Sequence, residues 1–481
     1  MGTTTTILKE RAVTLIQTAT TMEDVAYLIK GLASTNQIDE TVGDVTYKKV
    51  DELAPTSSAK DIAYILKALE NTVVYSSDKY QIGVPGEIGF GVATCPPNLL
   101  PAGWTGLLGH DVIGSQNYGN YQDVNGSILV YVPKHYYMYV GNEIYISQRH
   151  EPGYVLDRSF VNAGAEKNGV FIYKYGASNL NGIFGSQKFA DPLSTNAAHN
   201  PISALNNIPA NNCGGLYKAV KSAGSNYFLT SIFNYSMLAR LALAHGKAAT
   251  SIAASAYIDV APLMPKGCLV SALKDVNDAS VTYDASGYSN CGLTGSGSPF
   301  SKTTHNGQNC GIADLNGNMW EVASGFTLIE TTAGSPAPTD FRILLESTDI
   351  TAILDDTTTA GTGAYDMALY EQIDFTGIVD ANDGWTYLGN GTNAVFAMSI
   401  NRTTADYKKT ALGIPTSTGV SASGTTEFGN DGLYRYLRNE MACLVGAYWG
   451  SSSYAGIFSV NLYKYRTNPF DGAGGRASYL V

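Results

Sequence analysis

The sequence predicts an α+β chain: a short helical module at residues 1–80, a small β-rich domain at 81–150, and a larger domain over 151–481. Three observations carry this expectation. Apolar residues recur at helical spacing in two copies near the start. Short β-like runs separated by Gly, Pro, Asn and Asp follow, and one long helical pattern interrupts them near residue 230. The chain has 481 residues, 44% apolar and 15% charged, enough for roughly two to four cores and unlike a disordered or fibrous protein.

The helical module rests on an internal repeat. Asp24–Leu32 recurs 37 positions later as Asp61–Leu69, and in the first copy Val25, Leu28, Ile29 and Leu32 fall on one helical face. Thr21 and Ser58 each precede the Asp by three residues, as N-caps do. One apolar stripe per helix is too little core for a free-standing unit. Two short helices of a small bundle would satisfy the pattern. A module completed by neighbouring subunits satisfies it better.

Strand-like runs follow at Gly126–Pro133 and Asn142–Ser147. A helix is predicted from about Thr230 to His245, with Leu238, Leu241 and Leu243 among its apolar residues and Gly246 as its C-cap. Residues 327–432, rich in Thr, Gly, Ala and Asp, read as a loop-rich insertion with some strands.

Several function classes are excluded. A net charge of −11 argues against a nucleic-acid partner, which needs a concentrated basic face. No apolar run predicts membrane insertion, and the first ten residues lack the pattern of a secretory signal. Gly2 and Thr6 satisfy only the loose myristoylation pattern. The six cysteines (95, 213, 268, 291, 310, 443) are scattered and predict buried, reduced thiols rather than a zinc site or disulfide framework. The six histidines show no metal-ligand spacing. Asp314–Asn318 fails as a calcium loop, with Met319 where glycine is required and Gly325 where glutamate is. Gly389–Ala394 fails as a dinucleotide fingerprint because the β-like run Val395–Ile400 follows where a helix is needed. No catalytic residues, cofactor or metal are predicted.

Two segments are more specific. Cys310–Val322 reads as a hairpin around the turn Asn316–Gly317, with Trp320 as a core anchor. The second segment, 447–478, belongs to a tyrosine-dense region containing Tyr434, Tyr436, Tyr448, Tyr454, Tyr463, Tyr465 and Tyr479. Tyr mixed with Ser and Gly is the composition of antibody paratopes, and composition alone leaves a tyrosine-rich β-sheet equally open.

The Cys310–Val322 segment resembles the signature of the formylglycine-generating enzyme family, which implies a C-type-lectin-like fold for 151–481. Residues 447–478 resemble the variable region of retroelement-diversified proteins of bacteriophage tails. The matching framework is Trp449, Ala455, Gly456, Ile457, Phe458, Asn461, Leu462, Arg466, Asn468, Gly474 and Arg476. Gly475 stands where that family has phenylalanine. Gly86–Pro97, Ala198–Pro201, Ala244–Lys247 and Lys302–Gln308 also resemble tail-protein blocks.

The resemblance implies a receptor-binding face made by Tyr448, Gly450, Ser451, Tyr454, Ser459, Tyr463, Tyr465, Phe470 and Asp471. Lys464 lies among them, although it is not reachable from the asparagine codon that such systems diversify. A diversified face must change without disturbing the fold. Tyr448, Tyr454, Tyr463 and Tyr465 are therefore expected outside, and Trp449, Phe458 and Leu462 inside. Strand alternation would bury Lys464 with Leu462, so Lys464 must lie at a bend or snorkel outward.

The function so implied is non-enzymatic: host adhesion by a homotrimeric tail-tip or tail-fibre protein of the virion. It would bind a bacterial cell-surface receptor, protein or glycan, and join other tail proteins through its N-terminal region. An oxidase of the formylglycine-generating type would need redox cysteines at Gly450 and Ala455, where neither thiol exists, and Cys443 lies outside that spacing. A calcium-dependent lectin would need ligand motifs that Glu151-Pro152-Gly153 does not supply. A diversified protein displayed on a bacterial surface is the remaining alternative, and the missing signal pattern speaks against it.

Overall fold

Runs of β-branched and aromatic residues between turn residues build two six-stranded sheets in the computed structural model. The structure describes residues 79–141, 143–257, 265–355, 357, 359–379, 382–388, 396–415, 431–451 and 456–481. The helical repeat, and with it the expected module at 1–80, lies outside the described residues except for 79 and 80.

The strands of these two sheets begin with β1 (Thr105–Gly106), β2 (Asn120–Gln122), β3 (Ile128–Pro133), β4 (Gly169–Tyr173), β5 (Phe228–Leu229) and β6 (Trp320–Ala323). The chain continues with β7 (Gly384–Tyr387), β8 (Gly432–Arg435), β9 (Met441–Val445), β10 (Val460–Tyr465), β11 (Ala473–Gly474) and β12 (Ala477–Leu480). The first sheet runs β1-β2-β3-β4-β12-β5 and the second β7-β8-β10-β9-β6-β11.

The first sheet corrects the expected boundary at residue 150. β3 pairs antiparallel with β4, Val130 opposite Ile172, so residues on both sides of 150 share one sheet. Residues 79–481 form one compact unit. β3 and β4 are buried almost throughout, consistent with their unbroken apolar runs. Phe171 at their centre meets the rings of Trp104, Tyr121 and Tyr131 at 4.9, 5.3 and 5.0 Å. β12 then inserts between β4 and β5, with Ser478 opposite both Ile172 and Phe228.

The predicted helix is α2 (Ile232–Ala248), preceded by the short α1 (Gly215–Ala219). Ser231 caps it in a reciprocal box with Asn234, which starts the helix later than the apolar pattern alone suggested. Gly246 is not its cap. The helix runs through it to Ala248, because the turn after His245 keeps its hydrogen bonds up to Ala249. α2 is buried on all sides from Ile232 to His245. Its one internal charge, Arg240, donates to Asp157 at 2.6 and 3.1 Å with both side chains fully buried.

The described part of 327–432 contains strands. Phe341–Leu344 pairs with Phe326–Leu328 and with Tyr370–Gln372 to make a small sheet, where Phe326, Phe341 and Phe375 pack together. β7 forms an edge of the second sheet against β8, Trp385 opposite Tyr434. A third helix, α3 (Ala405–Ala411), lies farther along. The described chain is thus a β-rich α+β fold.

Candidate binding face

The site is built around β10, which runs parallel to β8 and antiparallel to β9. Its register with β9 is broken once. Ala442 faces Lys464 and Leu444 faces Asn461, so Cys443 alone opposes the two residues Leu462 and Tyr463. Such a bulge re-aims the side chains that follow it. Leu462 is fully buried and Tyr463 is 46% exposed. Lys464 escapes the core position that simple alternation would give it. Its ammonium instead lies 4.4 Å from the Tyr463 ring centre and 4.6 Å from that of Phe470.

Two groups of rings extend from this point. On one side Tyr463 meets Tyr434 at 5.9 Å and Tyr436 at 6.1 Å, and Tyr436 meets Tyr465 at 6.2 Å. Trp385 on β7 continues the row, 5.1 Å from Tyr434. On the other side Phe470 meets Tyr448 at 5.5 Å. Tyr448 rests on buried Trp449, which packs edge-on against Tyr288. Thr195 and Ser194 fix the Phe470–Asp471 backbone: Thr195 Oγ1 donates to the Phe470 carbonyl at 2.9 Å and Ser194 Oγ to that of Asp471 at 2.9 Å.

The sequence-predicted residues separate accordingly. Gly450 and Tyr463 are exposed, and Tyr448, Ser451, Tyr465, Phe470 and Asp471 are half-buried. Tyr454 lies outside the described residues. Ser459 must be withdrawn from the face. It is fully buried, its amide donates to the Gly456 carbonyl, and its carbonyl accepts from the Gly446 amide. Trp449, Phe458, Leu462, Arg466 and Arg476 are all buried. Trp385, Tyr434, Tyr436 and Arg438 were missing from the predicted face. The alternation of outward Tyr434 and Tyr436 with inward Leu433, Arg435 and Leu437 was a readable signal for two of them.

Below the face, the motif residues act as a scaffold. The expected hairpin over 310–322 does not form. Gly317 adopts φ +71° and Asn318 φ +64°, so the chain does turn there. The residues before the turn are nevertheless held by tertiary partners. Asp314 accepts from the amides of Gly295 at 2.7 Å and Gly176 at 3.3 Å, and Asn318 exchanges hydrogen bonds with the Gly292 backbone at 2.7 and 3.1 Å. β6 therefore pairs with β9 and β11, not with 310–315. Trp320 is buried as an anchor should be. Glu321 receives Arg476 Nε at 3.0 Å and Nη2 at 2.8 Å, together with the Tyr235 hydroxyl. Arg476 also donates to the carbonyls of Tyr173 and Ala313 at 2.6 and 2.7 Å, which ties both sheets together. At Gly475 a Cβ would lie only 3.1 Å from Leu229 Cδ1 and 3.6 Å from Phe184 Cζ. Those side chains fill the space beside Gly475.

Arg466 similarly reaches into the insertion through its ion pair to Asp355 at 3.0 Å, and it also pairs with Glu440, beyond the insertion, at 3.5 Å. All six cysteines are buried and none forms a disulfide. Among the described residues no group of three His, Cys, Asp or Glu is placed to hold a metal ion, and no helix is long and apolar enough to cross a membrane.

Two buried carboxyls near this scaffold set a pH dependence. Burial raises Asp431 to about 8, against the opposing bonds from the Phe458 amide and Ser459. Burial likewise raises Asp314 to about 6. Unfolded carboxyls titrate near pH ~4. The folded state therefore holds protons that the unfolded state releases. Its stability contribution from these groups is complete below about pH 4 and is lost as pH rises, through about 6 for Asp314 and about 8 for Asp431. Asp431→Asn is expected to flatten the upper part of that decline, read as melting temperature across this range. An unchanged slope would contradict the assignment.

No family model matches this chain, and no curated protein matches it.

Proposed function

We propose that the chain is a receptor-binding protein of a bacteriophage tail, which displays a diversifiable face on a C-type-lectin-like domain and catalyses no reaction. The observation that carries this reading is the separation within 447–478. Tyr448, Tyr463, Tyr465 and Phe470 reach the surface, whereas Trp449, Phe458, Leu462, Arg466 and Arg476 are buried and bonded to distant parts of the chain. Contacts can change in the first set without loss of the second. Tyrosine suits such a face because it offers rigid amphipathic area at low entropic cost.

Adsorption to cells of the host bacterium tests the reading. Tyr463→Ala and Tyr465→Ala are expected to weaken adsorption by about 2 kcal/mol each, the usual cost of removing an aromatic anchor. Neither should move the melting temperature by more than a degree or two. Mutants that unfold, or that adsorb like the parent chain, would refute it. A reverse-transcriptase gene beside an adenine-mutated copy of the segment's coding sequence would support diversification.

Assembly belongs to the same proposal. The N-terminal module would trimerise the chain and attach it to the tail, placing the protein in the virion. Light scattering of the full chain is expected to give the mass of a trimer, and deletion of residues 1–80 to weaken assembly while 81–481 stays folded. A stable full-length monomer would overturn this part.

A further inference from the structure

We infer that Ile88, Leu108, Val112 and Ile113 form an apolar contact with a second copy of this chain, beside the point where residues 1–78 join the body. The inference rests on the trimeric part of the proposed function and assigns a surface to it.

The patch lies on the connection between β1 and β2. Leu108 is 95% exposed and Val112 56%, and Ile88 and Ile113 are exposed as well. Ile88 and Ile113 are neighbours: a Cβ on Gly114 would sit 3.4 Å from Ile88 Cγ2, and one on Gly89 3.0 Å from Ile113 Cγ2. Single exposed apolar residues are ordinary, whereas a cluster of them marks a contact surface. The loop is also held in shape. The amides of His110, Val112 and Ser115 donate to the carbonyls of Leu107, Gly109 and Val112 at 2.8, 3.1 and 3.0 Å. Asn117 Nδ2 donates to the Leu108 carbonyl at 3.0 Å. Successive turns satisfy the backbone while the apolar side chains stay in solvent, so little order remains to be lost on binding.

The occupant follows from where the chain enters. Lys79 is the first residue of the compact body. Its carbonyl accepts from the Thr94 amide at 2.6 Å and the Tyr118 hydroxyl at 2.9 Å, and its ammonium pairs with Asp111 of the same loop at 3.1 Å. The patch therefore borders the entry point. Only nine residues, 70–78, separate the sequence repeat from Lys79, a reach of at most about 30 Å. A compact body of about 400 residues is roughly 55 Å wide. Three bodies on tethers this short crowd together at their entry points, and residues beside a threefold axis meet their own equivalents. The charges permit it. Asp111 is the one Asp, Glu, Lys or Arg of 107–115, and Lys79 of the same chain pairs with it, so a second copy covering the loop strands no charge. Glu87, next to Ile88 in sequence, is exposed and belongs to the polar rim that such contacts carry.

Thiol labelling tests the contact, because all six native cysteines are buried. Leu108→Cys and Val112→Cys are placed in the full-length chain, with Ile400→Cys, at a position 66% exposed, as the control. Maleimide is expected to react at least tenfold more slowly at positions 108 and 112 than at 400, in a sample whose light scattering gives the mass of a trimer. Leu108→Asp is expected to raise the concentration at which the trimer dissociates at least tenfold, with the melting temperature of the body unchanged. A trimer in which 108 and 112 label as fast as 400 would overturn the inference and leave the trimer standing. So would a Leu108→Asp trimer that dissociates like the parent. Slow labelling that persists in chains diluted to monomers would place the cover within one chain, which also overturns it. A full-length chain that is monomeric at every concentration ends the trimeric reading itself, and this contact with it.

Discussion

Glu321→Ala is expected to destabilise the folded body by about 3–5 kcal/mol, the usual cost of leaving one member of a buried ion pair without its partner. Arg476 is fully buried and spends two of its donors on Glu321. Removing the carboxylate would strand a guanidinium that still bonds Tyr173 and Ala313, and would also strip the Tyr235 hydroxyl of its acceptor. Equilibrium urea denaturation measures the loss. Glu321→Gln keeps the shape and one acceptor and should fall between parent and alanine variant. A change within ~0.5 kcal/mol, the range of ordinary surface substitutions, would mean that the pair does not tie the two sheets together.

The second large effect is expected at Trp449. It packs with Cys268, Val281, Tyr283, Tyr288, Cys291 and Met319 in a small cluster of its own, separate from the main core. Its amide donates to the Asn318 carbonyl at 3.2 Å. Truncation to Ala should cost about 3–5 kcal/mol, the range for large aromatic side chains in cores. Because Tyr448 rests on this indole, adsorption should fall as well. The pairing of the two losses distinguishes it from Tyr463→Ala, where adsorption falls alone. Intact stability in Trp449→Ala would remove the distinction between scaffold and face on which the proposed function depends.

What could be read from the sequence was local. Leu462 inward and Tyr463 outward follow from alternation on one strand, and the α2 pattern was visible because its apolar residues are contiguous. What could not be read depended on distant partners. Lys464 turns outward because Cys443, on another strand, opposes two residues instead of one. The Asn316–Gly317 turn had hairpin chemistry, yet the anchors of Asp314 and Asn318 lie at Gly176, Gly292 and Gly295. The boundary expected at 150 failed for the same reason, since the partner of β3 lies beyond it. Ser459 looked like Gly450 and Ser451 in composition, and only the packing of the 456–460 turn puts it inside.

The insertion of β12 between β4 and β5 also governs how the chain must fold. Arg476 and the Tyr173 carbonyl that it binds are 303 residues apart in sequence. Contacts of such separation are made only after a long loop has closed, so topologies rich in them reach the native state slowly. Until β12 arrives, β4 keeps an open edge of unpaired amides and carbonyls along Val170, Phe171 and Ile172, an apolar template for pairing with another chain. The yield of native protein on refolding is therefore expected to fall as protein concentration rises.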